Sequence, residues 1–145
     1  MSAATKSVCV MLFSAALLGC GGVPYQDPGQ RLAMLSLEEV ATLVRQTRAY
    51  LASGKTEAEA VEEAKRAAAS KLKDPEAARF RNVVIKSYID GKIICGELNG
   101  KNSYGAYVGY RPFAASPMDA VLQSTGSRYA STDELANTGL RNACG

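Results

Sequence analysis

The sequence predicts an α+β domain, in which an N-terminal helical hairpin packs on an antiparallel meander of three or four strands and a short C-terminal helix follows. Two observations predict this class. Helix-start motifs precede two amphipathic segments in the first half, and from Phe80 the apolar residues change to the alternation typical of strands. The chain has 145 residues, a length that suits a single domain.

The first helix is predicted over residues 36–52. Ser36 and Glu39 have the spacing of a capping box, in which the serine side chain and the glutamate side chain each bond a backbone N–H at the helix start. Apolar residues then recur at three- and four-residue steps, which places them on one face of a helix. Gly54 is well placed to end it.

A second capping box, formed by Thr56 and Glu59, begins the other half of the hairpin, which is expected over residues 36–73 as a whole. Asp74-Pro75 stops this helix, because the residue before a proline avoids the helical conformation. The inward stripe is formed by Val61, Ala64, Ala68 and Leu72. The short connection predicts that the two helices lie side by side on one face of the sheet.

A β-hairpin follows, with strands over 81–89 and 92–98 joined by an Asp90-Gly91 turn. This turn places Ile85 opposite Gly96 and Val84 opposite Glu97. One face of the hairpin is then apolar and is expected to meet the helices. The other face mixes polar and apolar residues, and we expect it to be either partly exposed to solvent or covered by the C-terminal segment.

The rest of the sheet is predicted to extend to residue 129. A third strand is expected over 104–113, although Gly105 and Gly109 weaken it unless neighbouring tyrosines lie over the bare backbone. A fourth strand is expected within 119–129. A third capping box at Ser131-Thr132-Asp133-Glu134 then predicts a helix over 131–143.

The N-terminus has the organisation of a secretory signal. One cation, Lys6, precedes eleven apolar or small residues (8–18), a run too short to cross a bilayer as an independent helix. Leu17-Leu18-Gly19-Cys20 then resembles the lipobox of bacterial lipoproteins. The resemblance implies cleavage after residue 19, a lipid such as palmitate on Cys20, and a lipidated tether over 20–35. Ordinary signal cleavage or an initial buried helix are the alternatives.

The lipobox resemblance also implies a location. In that class, an aspartate after the lipidated cysteine is typical of retention in the inner membrane, and this chain has Gly21 there. The resemblance therefore implies the cell envelope and favours the outer membrane, with the domain (36–145) facing the periplasm.

Of four cysteines, Cys95 and Cys144 remain once Cys9 leaves with the signal and Cys20 is lipidated. An even pair in an oxidising compartment favours a disulfide. It would close a loop of roughly 50 residues, which contributes about 4 kcal/mol in the chain-entropy model. Two free buried thiols or a redox pair are the alternatives, although the spacing of a CxxC redox motif is absent.

Composition argues against several function classes. The chain contains no histidine, so the commonest general base and the usual metal ligand are missing, and no cofactor or metal is expected. The net charge of +3 is interspersed along the chain and does not form a basic patch, so nucleic acid is not expected as a partner. We therefore do not expect an enzyme.

Three segments resemble a family of small uncharacterised bacterial envelope proteins: DPEAARFR at 74–81, CGELNGKN at 95–102 and GAYVGYRPF at 105–113. The usual family pattern is DPxSAxFRNV followed by CGExNxKNxxGGYxGFxxF. This chain departs from it with Ala77 in place of serine and Tyr110 in place of phenylalanine. The family has no settled biochemical activity, so the resemblance implies a domain and not a reaction.

Polar side chains cluster around one predicted strand–loop–strand corner, and we take them as a candidate binding surface: Glu97, Asn99, Lys101, Asn102, Tyr107 and Arg111. Carboxylate, amide, cationic and aromatic groups together suit a glycan, a peptide or a partner protein. The alternative is turn chemistry, in which Asn-Gly and Lys-Asn form turns and Glu97 pairs with Lys86 or Arg111.

The function expected from these observations is that of a membrane-anchored, non-enzymatic interaction or accessory module of the cell envelope. A small periplasmic inhibitor or a wall-glycan-binding lipoprotein is the alternative. A hydrolase is disfavoured, because a glycosidase needs two carboxylates across a cleft and only Asp90 and Glu97 lie near each other on the predicted sheet.

Overall fold

A computed structural model describes residues 27–145 as four helices and one antiparallel sheet whose strands are neighbours in chain order. The predicted α+β class is confirmed, with N-terminal helices, a four-stranded meander and a short helical C-terminus. The elements are α1 (Pro28–Ala52), α2 (Glu57–Ala69), a 3₁₀ turn (Pro75–Ala77), β1 (Arg79–Tyr88), β2 (Gly91–Lys101), β3 (Tyr107–Ala115), β4 (Ala120–Leu122), α3 (Ala130–Ala136) and α4 (Thr138–Cys144).

Helix α1 begins eight residues earlier than the sequence predicted. Asp27 caps it by accepting hydrogen bonds from the N–H groups of Gly29 and Gln30, at 3.1 and 3.2 Å. Ser36 is therefore not a cap. It is buried inside the helix, where its hydroxyl accepts a hydrogen bond from the N–H of Gly139 in α4. Residues 28–35 thus belong to a helix and not to a tether.

The prediction that α1 and α2 lie together on one face of the sheet is wrong. Val40, Leu43 and Val44 of α1 pack with Ile93, Cys95 and Ala114, which share one face. The alanines of α2 pack with Ile94, Leu98 and Phe113, which share the other. The sheet is therefore covered by α1 and α4 on what we call the α1 face and by α2 on what we call the α2 face. The predicted capping box of α2 at Thr56 and Glu59 is confirmed.

The turn between β1 and β2 lies one residue earlier than predicted. Tyr88 pairs with Gly91, so the two loop residues are Ile89, which has a φ of 54°, and Asp90. A Cβ on Gly91 would lie 2.8 Å from Val44 Cγ1, so the glycine serves close packing against α1. Next to the turn, from Val84 to Tyr88, the register moves by two residues, which keeps these side chains on their predicted faces but changes their partners: Ile85 lies opposite Ile94.

Each of the two long strand pairs contains an irregularity. The β1–β2 register shifts between Arg81 and Val84, where Asn82 has a φ of 54°. The β2–β3 register shifts between Asn99 and Lys101, opposite Gly109, which has a φ of 101° that favours glycine. Neither bulge follows from simple alternation. The third strand also begins at Tyr107 and not at Tyr104, and the fourth is limited to Ala120–Leu122.

The predicted C-terminal helix is two short helices that meet at Asn137. This side chain is buried and bonds both backbone groups of Ser124, accepting from its N–H and donating to its carbonyl. The predicted capping box at 131–134 is absent, because α3 begins at Ala130, which places Ser131 inside the helix, and no side chain caps it. The Asp133 carboxylate accepts hydrogen bonds from Ser124 and Ser127. These bonds lower the pKa of Asp133 below its ordinary value, that from the Ser127 hydroxyl most.

A disulfide joins Cys95 on β2 to Cys144 at the end of α4, as predicted. It fixes α4 on the α1 face, where Leu140 and Ala143 complete the core between α1 and the sheet. Across the residues that the structure describes, none of the helices combines the length and the apolar character needed to span a bilayer.

Candidate functional site

The α1 face of the sheet is covered at one end and open at the other. Its apolar core reaches along β2 and β3 as far as Cys95 and Ala114. Beyond them, the residues that share this face include Glu97 and Asn99 on β2 and Pro112 and Tyr110 on β3. Both outcomes expected for the mixed face therefore occur: the C-terminal segment covers one half, and the other half is open and polar.

Glu97 is held by three hydrogen bonds at the open end. Arg81, its register partner on β1, donates two of them in a fork, at 2.8 and 2.9 Å, and the Asn82 side chain donates the third at 2.9 Å. The bonds from Arg81, followed by the one from Asn82, lower the pKa of Glu97 below its ordinary value. The carboxylate therefore stays ionised at neutral pH and is unsuited to donating a proton. Its predicted pairing with Lys86 or Arg111 is wrong.

Two arginines of β1 stack on two tyrosines of β3. The Arg79 guanidinium carbon lies 4.0 Å from the centre of the Tyr107 ring, and that of Arg81 lies 4.1 Å from the centre of the Tyr110 ring. Planar guanidinium groups favour this position over an aromatic face. Lys101 also approaches Tyr107, at 5.5 Å. We call this group the arginine–tyrosine platform; its members are Arg79, Arg81, Glu97, Lys101, Tyr107 and Tyr110.

Asn99 supports the platform from inside the sheet. It is buried, and its side-chain oxygen accepts a hydrogen bond of 3.1 Å from the N–H of Gly109, the bulge residue of β3. A bulge leaves a backbone group without a ladder partner, and this side chain supplies one. Asn99 is therefore a structural residue that lies beneath the candidate surface.

Asn102 organises the turn between β2 and β3. Its side-chain oxygen accepts hydrogen bonds from the N–H groups of Tyr104 and Ala106, at 2.9 and 3.1 Å. Its role is therefore the turn chemistry that the sequence left as an alternative. Tyr104 is 95% exposed, so its ring does not cover the backbone of Gly105, which takes a positive φ in the turn.

The structure divides the six predicted site residues. Glu97, Lys101 and Tyr107 come together in the platform, while Asn99 and Asn102 serve the bulge and the turn. Arg111 is opposite Leu98 and lies on the α2 face, so it is separated from the others by the sheet itself. The expectation that all six form one surface is wrong for Arg111.

Three residues at this end were missed by the sequence analysis: Arg79, Arg81 and Tyr110. Alternation alone, continued through 82–83, places Arg79 and Arg81 on the apolar face, away from Glu97. The bulge at Asn82 reverses this and turns both arginines towards β3. The available signal was the excess of arginine at the start of a strand that faces a glutamate and several tyrosines.

A cleft of about 290 Å³ separates the platform from the C-terminal helix. Val84 and Lys86 of β1 line it on one side and Cys144 and Pro112 on the other. The Lys86 ammonium donates a hydrogen bond of 3.0 Å to the carbonyl of Cys144. The cleft therefore marks the boundary between the helix-covered and open ends of this face.

Compared with known proteins, the chain matches no protein-family model, no curated protein sequence and no solved structure. Between Asp27 and Gly145 the structure contains no group of three or more cysteine, aspartate or glutamate side chains arranged to hold a metal ion. Cys20 and the predicted signal lie outside the described residues.

Proposed function

We propose that this chain is a lipid-anchored envelope protein whose domain is a non-enzymatic interaction module, and that the arginine–tyrosine platform binds its partner. The anchor is inferred from the resemblance of Leu17-Leu18-Gly19-Cys20 to a lipobox. The preferred location is the outer membrane, with the domain facing the periplasm, as the residue after Cys20 suggests. The resemblance of 74–113 to small envelope proteins agrees with this placement.

One observation supports the role of the platform most strongly: charged and aromatic side chains are ordered on an open sheet face. Arg79 and Arg81 are exposed although both are held against tyrosine rings. Ordering before binding lowers the entropic cost of binding, because fewer side-chain rotations are lost when a partner arrives. Arginine and tyrosine are also enriched where proteins recognise one another.

A protein partner is favoured over a glycan by the same contacts. Sugars bind aromatic residues by stacking on a free ring face, and here a guanidinium lies over each of Tyr107 and Tyr110. The guanidinium groups themselves point to carboxylate-bearing partners, which they bind through paired hydrogen bonds. The platform therefore suits an acidic protein surface.

The anchor is tested by growing cells with labelled palmitate and following the full-length chain. We expect wild-type protein to incorporate the label and to remain with membranes. Cys20→Ser should lose both properties, whereas Cys9→Ser should retain both, because Cys9 leaves with the signal. Equal labelling of the Cys20→Ser and wild-type chains would refute lipidation at this cysteine.

The binding role is tested by quantitative capture from membranes with a tag after Gly145. A partner of the platform should be recovered by wild type, lost in Arg79→Ala and Tyr107→Ala, and retained in Arg111→Ala. The last variant is the matched control, since it removes an arginine from the opposite face of the same sheet. A capture profile that is the same for all four chains would refute the proposal.

A further inference from the structure

Strand β1 forms one edge of the sheet and presents an unusual distribution of side chains. It has ten residues and pairs only with β2 within the part of the chain that the structure describes. Its outer N–H and C=O groups are therefore free to pair with another extended chain. Long edges of this kind are sites of strand addition, in which backbone hydrogen bonds supply affinity and side chains supply specificity.

The bulge at Asn82 sorts the side chains of β1 by charge. Register partners share a face, so Arg79, Arg81 and Lys86 lie on the α1 face with Val84. Phe80, Val83 and Ile85 lie on the α2 face, where they pack against its core. The strand thus has one cationic face and one apolar face, and it contains no acidic residue.

The cationic side retains unneutralised charge. Glu97 pairs with Arg81. Among residues 27–145, neither Arg79 nor Lys86 has a carboxylate partner; Arg79 rests on Tyr107, and Lys86 bonds a backbone carbonyl. An added strand would lie along the outer side of β1, where its acidic side chains would meet these cations once their charged heads turn from Tyr107 and the Cys144 carbonyl.

A cleft lies on each side of the edge. The one on the α1 face, already described, has about 290 Å³ and is lined by Val84 and Lys86. The other, on the α2 face, has about 480 Å³ and is lined by Phe80, Ala78 and Ala69 and by charged residues, among them Glu62, Lys65 and Arg66 of α2. Because side chains of a strand alternate between faces, an added strand would direct successive residues towards the two clefts in turn.

We propose that β1 binds an extended segment of a partner protein as a fifth strand, and that this segment alternates acidic and apolar side chains. The acidic residues lie beside Arg79 and Lys86, and the apolar residues lie beside Phe80 and Ile85. A second copy of this chain is a poor occupant, because antiparallel pairing of two β1 strands on a common face brings cations together. This inference rests on the proposed binding function and specifies its partner.

The proposal is tested with the purified chain and two eight-residue peptides as probes, one alternating glutamate and valine and one alternating lysine and valine. We expect the glutamate peptide to bind at least about tenfold more tightly. Charge reversal in Arg79→Glu/Lys86→Glu should invert the preference. Arg111→Glu, on the α2 face of β3, is the matched control and should leave the preference as in wild type.

Hydrogen exchange distinguishes strand addition from simple ion pairing. The β1 amides that point away from β2 should exchange rapidly in the free chain, whereas those bonded to β2 are already protected. The outward amides should slow at least about tenfold when the glutamate peptide is bound. Binding without this protection would overturn strand addition, and so would failure of the peptide to bind. Protection of the outward amides in the free chain would show that residues 1–26 or a second copy already occupy the edge. If any of these results appears while partner capture still depends on Arg79, the proposed function stands and this inference fails.

Discussion

The two ends of the α1 face are stabilised in different ways. At the covered end, α1 and α4 exclude water from Ile93 and Cys95, and a disulfide fixes the last helix in place. At the open end, order comes from a forked ion pair, two arginine–tyrosine stacks and hydrogen bonds at two bulges. Burial maintains the fold at the first end, whereas at the second, directional contacts fix side chains that remain accessible.

This difference predicts where substitutions act. Changes at the covered end should lower the free energy of unfolding by several kcal/mol, because they open or overfill a packed core. Changes to exposed members of the platform should cost little stability and should instead alter binding. The variants below are ordered from the largest expected effect on stability to the smallest.

Removing the disulfide should have the largest effect. Cys95→Ala/Cys144→Ala releases a loop with a sequence separation of 49 residues and should lower the free energy of unfolding by about 4 kcal/mol. Urea unfolding of the wild-type and variant chains measures this, and wild type under reducing conditions should give a similar loss. A change below about 1 kcal/mol would mean that packing alone holds α4 in place.

The next largest loss of stability should come from disturbing the contact between α1 and α4. A Cβ on Gly139 would lie 2.1 Å from the carbonyl oxygen of Ser36, so Gly139→Ala should separate the helices and cost about 3 kcal/mol. Asn142→Ala, an exposed position of the same helix, is the control and should leave stability nearly unchanged. If alanine at 139 were instead stabilising, as helix propensity alone suggests, the close approach would be refuted.

Asn99 lies at the open end but is buried, so its substitution should lower stability even though it is not at the covered end. Asn99→Ala leaves the N–H of Gly109 without its partner and should cost about 2 kcal/mol in thermal or urea unfolding. Asn102→Ala removes an exposed side chain whose bonds water can replace, so its effect should be smaller. Equal losses in both variants would contradict the distinction between bulge support and turn chemistry.

The ion pair of Glu97 should appear in the pH dependence of stability. Because its pKa in the folded chain is lowered, its contribution is complete above its ordinary pKa of 4.5 and is lost as pH falls through the lower folded value. Glu97→Gln should therefore show a weaker loss of stability between pH 6 and pH 2 than wild type. Parallel curves for both chains would show that Arg81 does not stabilise the ionised carboxylate.

The sequence predicted most elements but not the contacts that connect distant ones. The capping box at Thr56 located the second helix and alternation located the hairpin, because these signals are local. The last helical segment was expected in the right place, but from a capping box that does not form. Ser36 has the local spacing of a helix cap, but its actual partner, the N–H of Gly139, is 103 residues away and leaves no local signal. Gly91 looked like a turn residue because its neighbour Val44 belongs to another element. Only the tertiary structure shows these contacts between distant residues.

The candidate site was predicted only in part, again because local patterns do not show how the side chains of different strands are brought together. Glu97, Lys101 and Tyr107 were found because polar and aromatic residues gathered in one sequence segment. Arg79 and Arg81 were missed because a bulge, at which Asn82 has a positive φ, changes the face of the sheet on which they lie. Arg111 was wrongly included because neighbours along a strand point to opposite faces.

The most direct test measures stability and partner recovery on the same variant, Arg79→Ala. If the platform binds the partner, this variant should keep a free energy of unfolding within about 1 kcal/mol of wild type. From the same membranes it should lose the partner that wild type and Arg111→Ala recover. A stable variant that still recovers this partner would contradict a binding role for the platform. A variant that unfolds as readily as Asn99→Ala would instead show that the contacts of Arg79 at the open end stabilise the fold.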